Sequence, residues 1–308
     1  MKTKIMKLIL LLIATNSLEL IACDRFGVTG FISEEDMNNI ISLGVSDIDQ
    51  KEFNYVLDRI DSIYAPEFQK RNANLIIERR WDDDTKNAYA QQTGNDWKIS
   101  MFGGLARHEA ITSDAFALVA CHEIGHHIGG APKKRSFFST SWASNEGQAD
   151  YWANLKCMRR YMLDDNNESI VNSMSSVDPY ARQKCENAFS DFDDNEFYMC
   201  LRSSMAGLSL ANFFKSLRNT NKELRFETPN NRQVSSTNDD HPEPQCRVDT
   251  YFQGALCSVD YEEPVSKSNY KTGTCNRDDG DTLGLRPLCW FKPNSNNRSP
   301  FPFPFPGF

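Results

Sequence analysis

ACHEIGHHIGG, residues 120–130, sets three histidines, one glutamate and one cysteine into an otherwise apolar stretch that closes on two glycines. Upstream, Thr112 or Ser113 can cap a helix and Asp114 suits its first turn; downstream, Gly129, Gly130 and then Pro132 end it. The spacing predicts one helix running through DAFALVACHEIGHHI. Residues four apart share a helix face, so His122 and His126 point the same way. Without partners in an apolar helix, such polar groups would each cost about 1–3 kcal/mol. Two imidazoles gripping one metal ion remove that cost, and zinc suits neutral imidazole. Glu123 lies about 100° round the helix from His122, beside a bound ion rather than on it. A carboxylate there can take a proton from water and pass it to a leaving amine, which is the chemical sense of His-Glu-x-x-His.

A third ligand has two possible sources. The pattern H-E-x-x-H-x-x-G-x-x-H would need a histidine where Pro132 stands, so that source fails. The other is a glutamate on a later helix. Glu146, twenty residues after His126, lies at the start of the helical stretch SNEGQADYWANLKCMRRYML. His122, His126 and Glu146 would hold one zinc ion per chain and leave a fourth position open. Asp150, one turn on, can accept a hydrogen bond from a ligand imidazole or pair with a basic residue. The plain alternative for Glu146 is a helix-start carboxylate favoured by the dipole. His127 is out of phase with the pair and is expected at the surface or behind the ligands. Cys121 faces Ala117, Ile124 and Ile128, as packing, as a disulfide, or as the readiest of the cysteines to be a buried free thiol.

Outward from this centre, the chain has 308 residues, 40% of them hydrophobic, and a formal net charge of −8. That charge carries no basic footprint for nucleic acid. Residues 1–22 read as a signal peptide, with a basic start (MKTKIMK) and an apolar run too short to span a bilayer. LIAC resembles a lipobox, which would make Cys23 the lipidated residue of an exported bacterial lipoprotein. Eight further cysteines in an exported chain suggest disulfides, with 105 possible pairings. Residues 23–46 read as a linker. Phe53, Val56, Leu57, Ile60 and Ile63 mark a first helix, ANLIIERRW a strand, and NAYAQQTGNDWKISMFGGLA a strand, turn and strand. Helices are expected again at PYARQKCENAF and FYMCLRSSMAGLSLANFFKSL. Residues 47–247 form the expected main domain, residues 248–290 a cysteine-containing extension, and residues 291–308 a disordered Pro/Phe-rich tail.

Several motifs in one order resemble the M48 metallopeptidases, a gluzincin family: NAYA from Asn87, GGL from Gly103, TSDAFALVACHEIGHH, EGQADYWA, and HPEPQCR from His241 to Arg247. The resemblance spans residues 87–247. It implies an α+β, mostly helical, zincin-like fold, with a small antiparallel or mixed sheet whose edge strand lies over the HExxH helix. It implies zinc on His122, His126 and Glu146, Glu123 as general base, and His241 beside the metal, either stabilising an oxyanion or capping the ion. Arg247 would pair with Asp150 and hold a late loop against the site. The strand carrying Ile99, Ser100, Met101, Phe102 and Gly103 would dock extended substrate. Cys121 stands where that family usually has alanine, and residues beyond 247 have no counterpart.

The expectation is a zinc metalloendopeptidase cleaving envelope or extracellular proteins, lipid-anchored in the bacterial cell envelope and facing the periplasm or the exterior. Its partners would be protein or peptide substrates and the membrane, not nucleic acid. The alternative is a latent or non-catalytic M48-like chaperone or assembly factor. A third class, a structural metal module, would need a fourth protein ligand from His241, His108 or His127.

Overall fold

The computed structural model describes residues 28–37, 44–135, 140–190, 194–217 and 223–293. Lipidation at Cys23, the signal segment and residues 294–308 of the tail lie outside these residues. The fold is mixed α+β, with more helix than strand and one small mixed sheet.

The helix α4 (Ser113–Ile128) is its axis. Thr112 caps it, accepting from the Ala115 amide at 3.2 Å, and all residues from Ala115 to His127 are buried. A helix apolar on every side can sit only at the centre of a core. Around it pack α2 (Gln50–Gln69), capped by Asp49 and burying Phe53, Val56, Leu57, Ile60, Tyr64 and Phe68, and a four-stranded sheet. The sheet order is β1 (Val28–Gly30), β3 (Ala88–Thr93), β4 (Asp96–Phe102), β2 (Asn74–Arg80). β3 and β4 form a hairpin whose Thr93↔Asp96 register leaves Gly94 and Asn95 as its loop. Gly94 takes φ +59°, a value that suits glycine.

The other elements before the second layer are short: α1 (Glu34–Met37), α3 (Gly103–Ala106), and a two-stranded ribbon of β5 (Lys133–Arg135) and β6 (Thr140–Ser144). The second layer begins with α5 (Glu146–Trp152), capped by Asn145 through the Gln148 amide at 2.9 Å. It continues through a π-helical stretch, Ala153–Cys157, into α6 (Met158–Met162). α7 (Asn167–Ser173), α8 (Pro179–Phe189) and α9 (Asp194–Leu217) follow, and α10 (Pro244–Leu256) packs on α9 and α5. α4 and α5 touch closely because Gly125 has no side chain. A Cβ there would lie 3.1 Å from the Ala149 carbonyl oxygen.

Four expectations are corrected. β4 is not an edge strand: Ile99 pairs with Ala90 on one side and with Ile77 on the other, so its backbone groups are spent. Ser100, Met101 and Phe102 are likewise enclosed, and Gly103 begins α3 instead of extending the strand. The 23–46 segment is no linker where it is described, since it supplies β1, α1 and a bridge from Val45 to His108. The boundary after 247 falls within α10, so Arg247 sits on a helix and not in a loop. Of the readings open for Cys121, the disulfide is the one found: it is bonded to Cys157, tying α4 to the π-helical stretch.

The other disulfides are Cys185–Cys200, Cys246–Cys289 and Cys257–Cys275. The last two fasten the C-terminal segment to α10, and Trp290 packs fully buried over Gly147. Four disulfides indicate an oxidising, extracytoplasmic compartment. Among the described residues no helix is long and apolar enough to cross a membrane.

Candidate metal centre

The close crossing at Gly125 brings the start of α5 against two successive turns of α4. His122, His126 and Glu146 converge there, and their ligand atoms lie within 4.8 Å of one another. The Glu146 Oε2 atom is 3.2 Å from His122 Nε2 and 3.5 Å from His126 Nε2. All three side chains are fully buried. Neither Nε2 atom has a hydrogen-bond partner. Ligands about 2.0–2.1 Å from a tetrahedral ion are separated by about 3.4 Å along each edge. The residues therefore fit a metal ion of that coordination, and an ion would satisfy the two ring nitrogens.

The opposite ring nitrogens explain the orientation. His122 Nδ1 donates to Asp150 Oδ1 at 2.7 Å, and His126 Nδ1 donates to the Ser144 carbonyl at 2.8 Å. With Nδ1 carrying the proton, each Nε2 lone pair faces Glu146. Asp150 also accepts from Arg247 (2.7 Å) and from the Tyr251 hydroxyl (2.6 Å), all of them buried. Arg247 lies in turn over the Phe31 and Phe214 rings, 4.7 and 3.9 Å from their centroids. A guanidinium shielded this way depends on Asp150 for its counter-charge.

Glu123 is fully buried and neither of its oxygens has a hydrogen-bond partner. Burial pushes its carboxyl up to about 8, with Glu146 adding to the rise and His122 opposing it. Burial also pulls His126 down to about 4. For His122 burial acts the same way, but Asp150, Glu146 and Glu123 together outweigh it and raise the ring to about 9. Glu146 stays well below the usual carboxylate range despite burial, because His241, Lys134 and His126 surround it.

His241 reaches the same point. Its Nε2 is 3.3 Å from Glu146 Oε2 and donates to the Gly30 carbonyl at 2.7 Å. His127 is neither at the surface nor behind the ligands. It is stacked between Trp97 and Trp142, with Nε2 donating to the Lys98 carbonyl at 3.0 Å and Nδ1 accepting from Gln92. That contact clamps α4 to β4. His108 lies elsewhere, edge-on to Phe213. Ile99, Ser100, Met101 and Phe102 stay within the sheet, and the strands that reach the metal centre are β6, through the Ser144 carbonyl, and β1, through the Gly30 carbonyl.

Two participants were not legible beforehand. Lys134 places its ammonium 2.9 Å from Glu146 Oε1, leaving Oε2 to the imidazoles; a lysine in a PKK triplet carries no pattern that signals this. Tyr251 could have been noticed as the residue one helical turn after Arg247. Compared with known families, curated proteins and solved structures, the chain matches none.

Proposed function

We propose that the chain is a zinc-dependent endopeptidase of M48-like, zincin-like design, acting on peptide bonds of envelope or extracellular proteins. The observation that carries this reading is the placement of two Nε2 atoms and one carboxylate oxygen at tetrahedral spacing, with the unpaired Glu123 carboxylate beside them. A zinc ion held by His122, His126 and Glu146 would polarise a peptide carbonyl and make water acidic enough to attack near neutral pH. Glu123, kept from strong acidity by burial, takes the proton of the attacking water and gives it to the leaving nitrogen. His241 is placed to donate to charge developing on the carbonyl oxygen, and such donors contribute roughly 2.7–4 kcal/mol of barrier lowering. Asp150 and Arg247 hold His122 in its tautomer. A lipid on Cys23 would keep this centre at the membrane surface.

A second reading, a non-catalytic or latent M48-like envelope protein, draws support from the complete burial of His122, Glu123, His126 and Glu146. One experiment separates the two: metal analysis of the purified chain, with casein and peptide-library cleavage by wild type and Glu123→Gln, each with and without chelator. Zinc near one per chain in both proteins, and cleavage that Glu123→Gln and chelator abolish, is the expected outcome. Cleavage that survives Glu123→Gln, or a chain that takes up no zinc, refutes the proposal.

A further inference from the structure

The segment from Val28 to Ile32 runs beside the centre, with Gly30 on His241 and Phe31 on His122. β1 is antiparallel to β3 at the sheet edge, with Val28↔Gln91, Thr29↔Ala90 and Gly30↔Tyr89 in register. The Phe31 amide donates to the Ala88 carbonyl at 2.9 Å. Antiparallel pairing alternates, so Thr29 directs its groups, and Phe31 its amide, at β3, while Gly30 directs its carbonyl away from it. That carbonyl is the one that accepts from His241, whose Nε2 stands 3.3 Å from the Glu146 ligand oxygen.

Several of the contacts that hold this segment go to its main chain. Asn87 accepts from the Ile32 amide at 2.9 Å and donates to the Ile32 carbonyl at 3.1 Å. Arg247 donates to the Phe31 carbonyl at 3.2 Å. With His241 on Gly30, three side chains from distant parts of the chain read backbone groups that every peptide possesses. Thr29 and Ile32 are buried as well, and two positions bear on which residues the seat accepts. A Cβ on Gly30 would lie 3.0 Å from the Tyr89 ring, so the seat accepts a small residue. Phe31, fully buried, fills an apolar slot with the His122 and Phe214 rings each 5.1 Å away.

We infer that residues 28–32 occupy the substrate track as an internal pseudosubstrate, and that the outer edge of β3 is where an extended peptide docks. This rests on the peptidase reading and adds to it a substrate class. The favoured peptide is extended, with a small residue at the Gly30 position followed by a large apolar one at the Phe31 position. Because the occupant is tethered, its effective concentration reaches the millimolar range, and a free peptide competes poorly until β1 is displaced.

The test uses the full chain, wild type and Thr29→Pro. Proline removes the amide that the register pairs with Ala90 and weakens β1 without touching the metal centre. Gly30→Leu, which crowds Tyr89, unseats the same strand by another route. Fluorescein-labelled Val-Thr-Gly-Phe-Ile is titrated into metal-free protein and followed by anisotropy, with Val-Thr-Phe-Gly-Ile as control. At least one variant should bind the first peptide tenfold or more tighter than wild type, and tenfold tighter than the control. With zinc added, that variant should cleave a quenched version of the first peptide at least tenfold faster than wild type, and lose cleavage on adding Glu123→Gln. If neither variant gains affinity, or if both bind the control equally well, β1 is a fixed structural strand and the inference is overturned. Tighter, order-dependent binding with no cleavage upholds the docking track and overturns the peptidase reading instead.

Discussion

Asp150→Asn keeps the shape of the side chain and removes the charge on which three buried groups converge. In the native protein Asp150 accepts from His122 (2.7 Å), Arg247 (2.7 Å) and Tyr251 (2.6 Å), with Arg247 1% exposed. Leaving that guanidinium buried without its counter-charge should cost about 3–5 kcal/mol. Against a typical total stability of about 5–15 kcal/mol, this is a large share. The metal centre should suffer separately. An amide carbonyl is a weaker acceptor for the His122 Nδ1 proton, and losing such support lowers metal affinity by about 10–100-fold. Adding Arg247→Met separates the two effects: it removes the stranded charge and should recover most of the stability, yet zinc affinity should stay low because His122 still lacks its carboxylate. Urea unfolding of chelator-treated protein at neutral pH measures the first quantity, and competition against a zinc chelator measures the second. A stability loss below about 1 kcal/mol, the size of an exposed ion pair, would contradict the reasoning. So would a double variant whose zinc affinity returns together with its stability.

Replacing Cys121 and Cys157 together by alanine opens a loop with a sequence separation of 36 and should cost about 4 kcal/mol of unfolding free energy, read by guanidinium denaturation; an unchanged midpoint would mean the bridge adds nothing. Gly147→Ala would set a Cβ 2.2 Å from the Trp290 ring, so it should destabilise the chain by about 1–3 kcal/mol and red-shift the tryptophan emission as the C-terminal segment lifts. The Glu78 carboxyl is held at about 2, against an ordinary 4.5, chiefly by the Lys98 ammonium, with burial opposing and Arg80 and Ser100 helping. Since the folded value is depressed, its stabilisation is complete above 4.5 and is lost as pH falls toward 2. Glu78→Gln should therefore flatten the acid limb of the thermal stability profile across that window, by less than about 1 kcal/mol for so exposed a group; an identical profile would refute the assignment.

What the sequence alone determined follows from short-range geometry. Four-residue spacing on a helix puts His122 and His126 on one face whatever else the chain does, and puts Glu123 beside them. Thr112 marks the start of the first helix that matters, and a separation of twenty residues from His126 is short enough for Glu146 to return to it. The general α+β character was legible for the same reason, since periods of two and 3.6 are local properties. Tertiary structure decided whatever depends on which distant segments meet. β4 reads like an edge strand until β2 pairs along its other side, a partnership no local pattern announces. Cys121 found Cys157, one pairing among many, because α4 and the π-helical stretch come to lie together. His127, polar by type, is held between two tryptophans from separate strands. Lys134 and Gly30 reach the metal centre from a ribbon and from the first strand. Backbone hydrogen bonds and buried charges take whichever partner the packed core delivers, and a linear spacing does not encode that delivery.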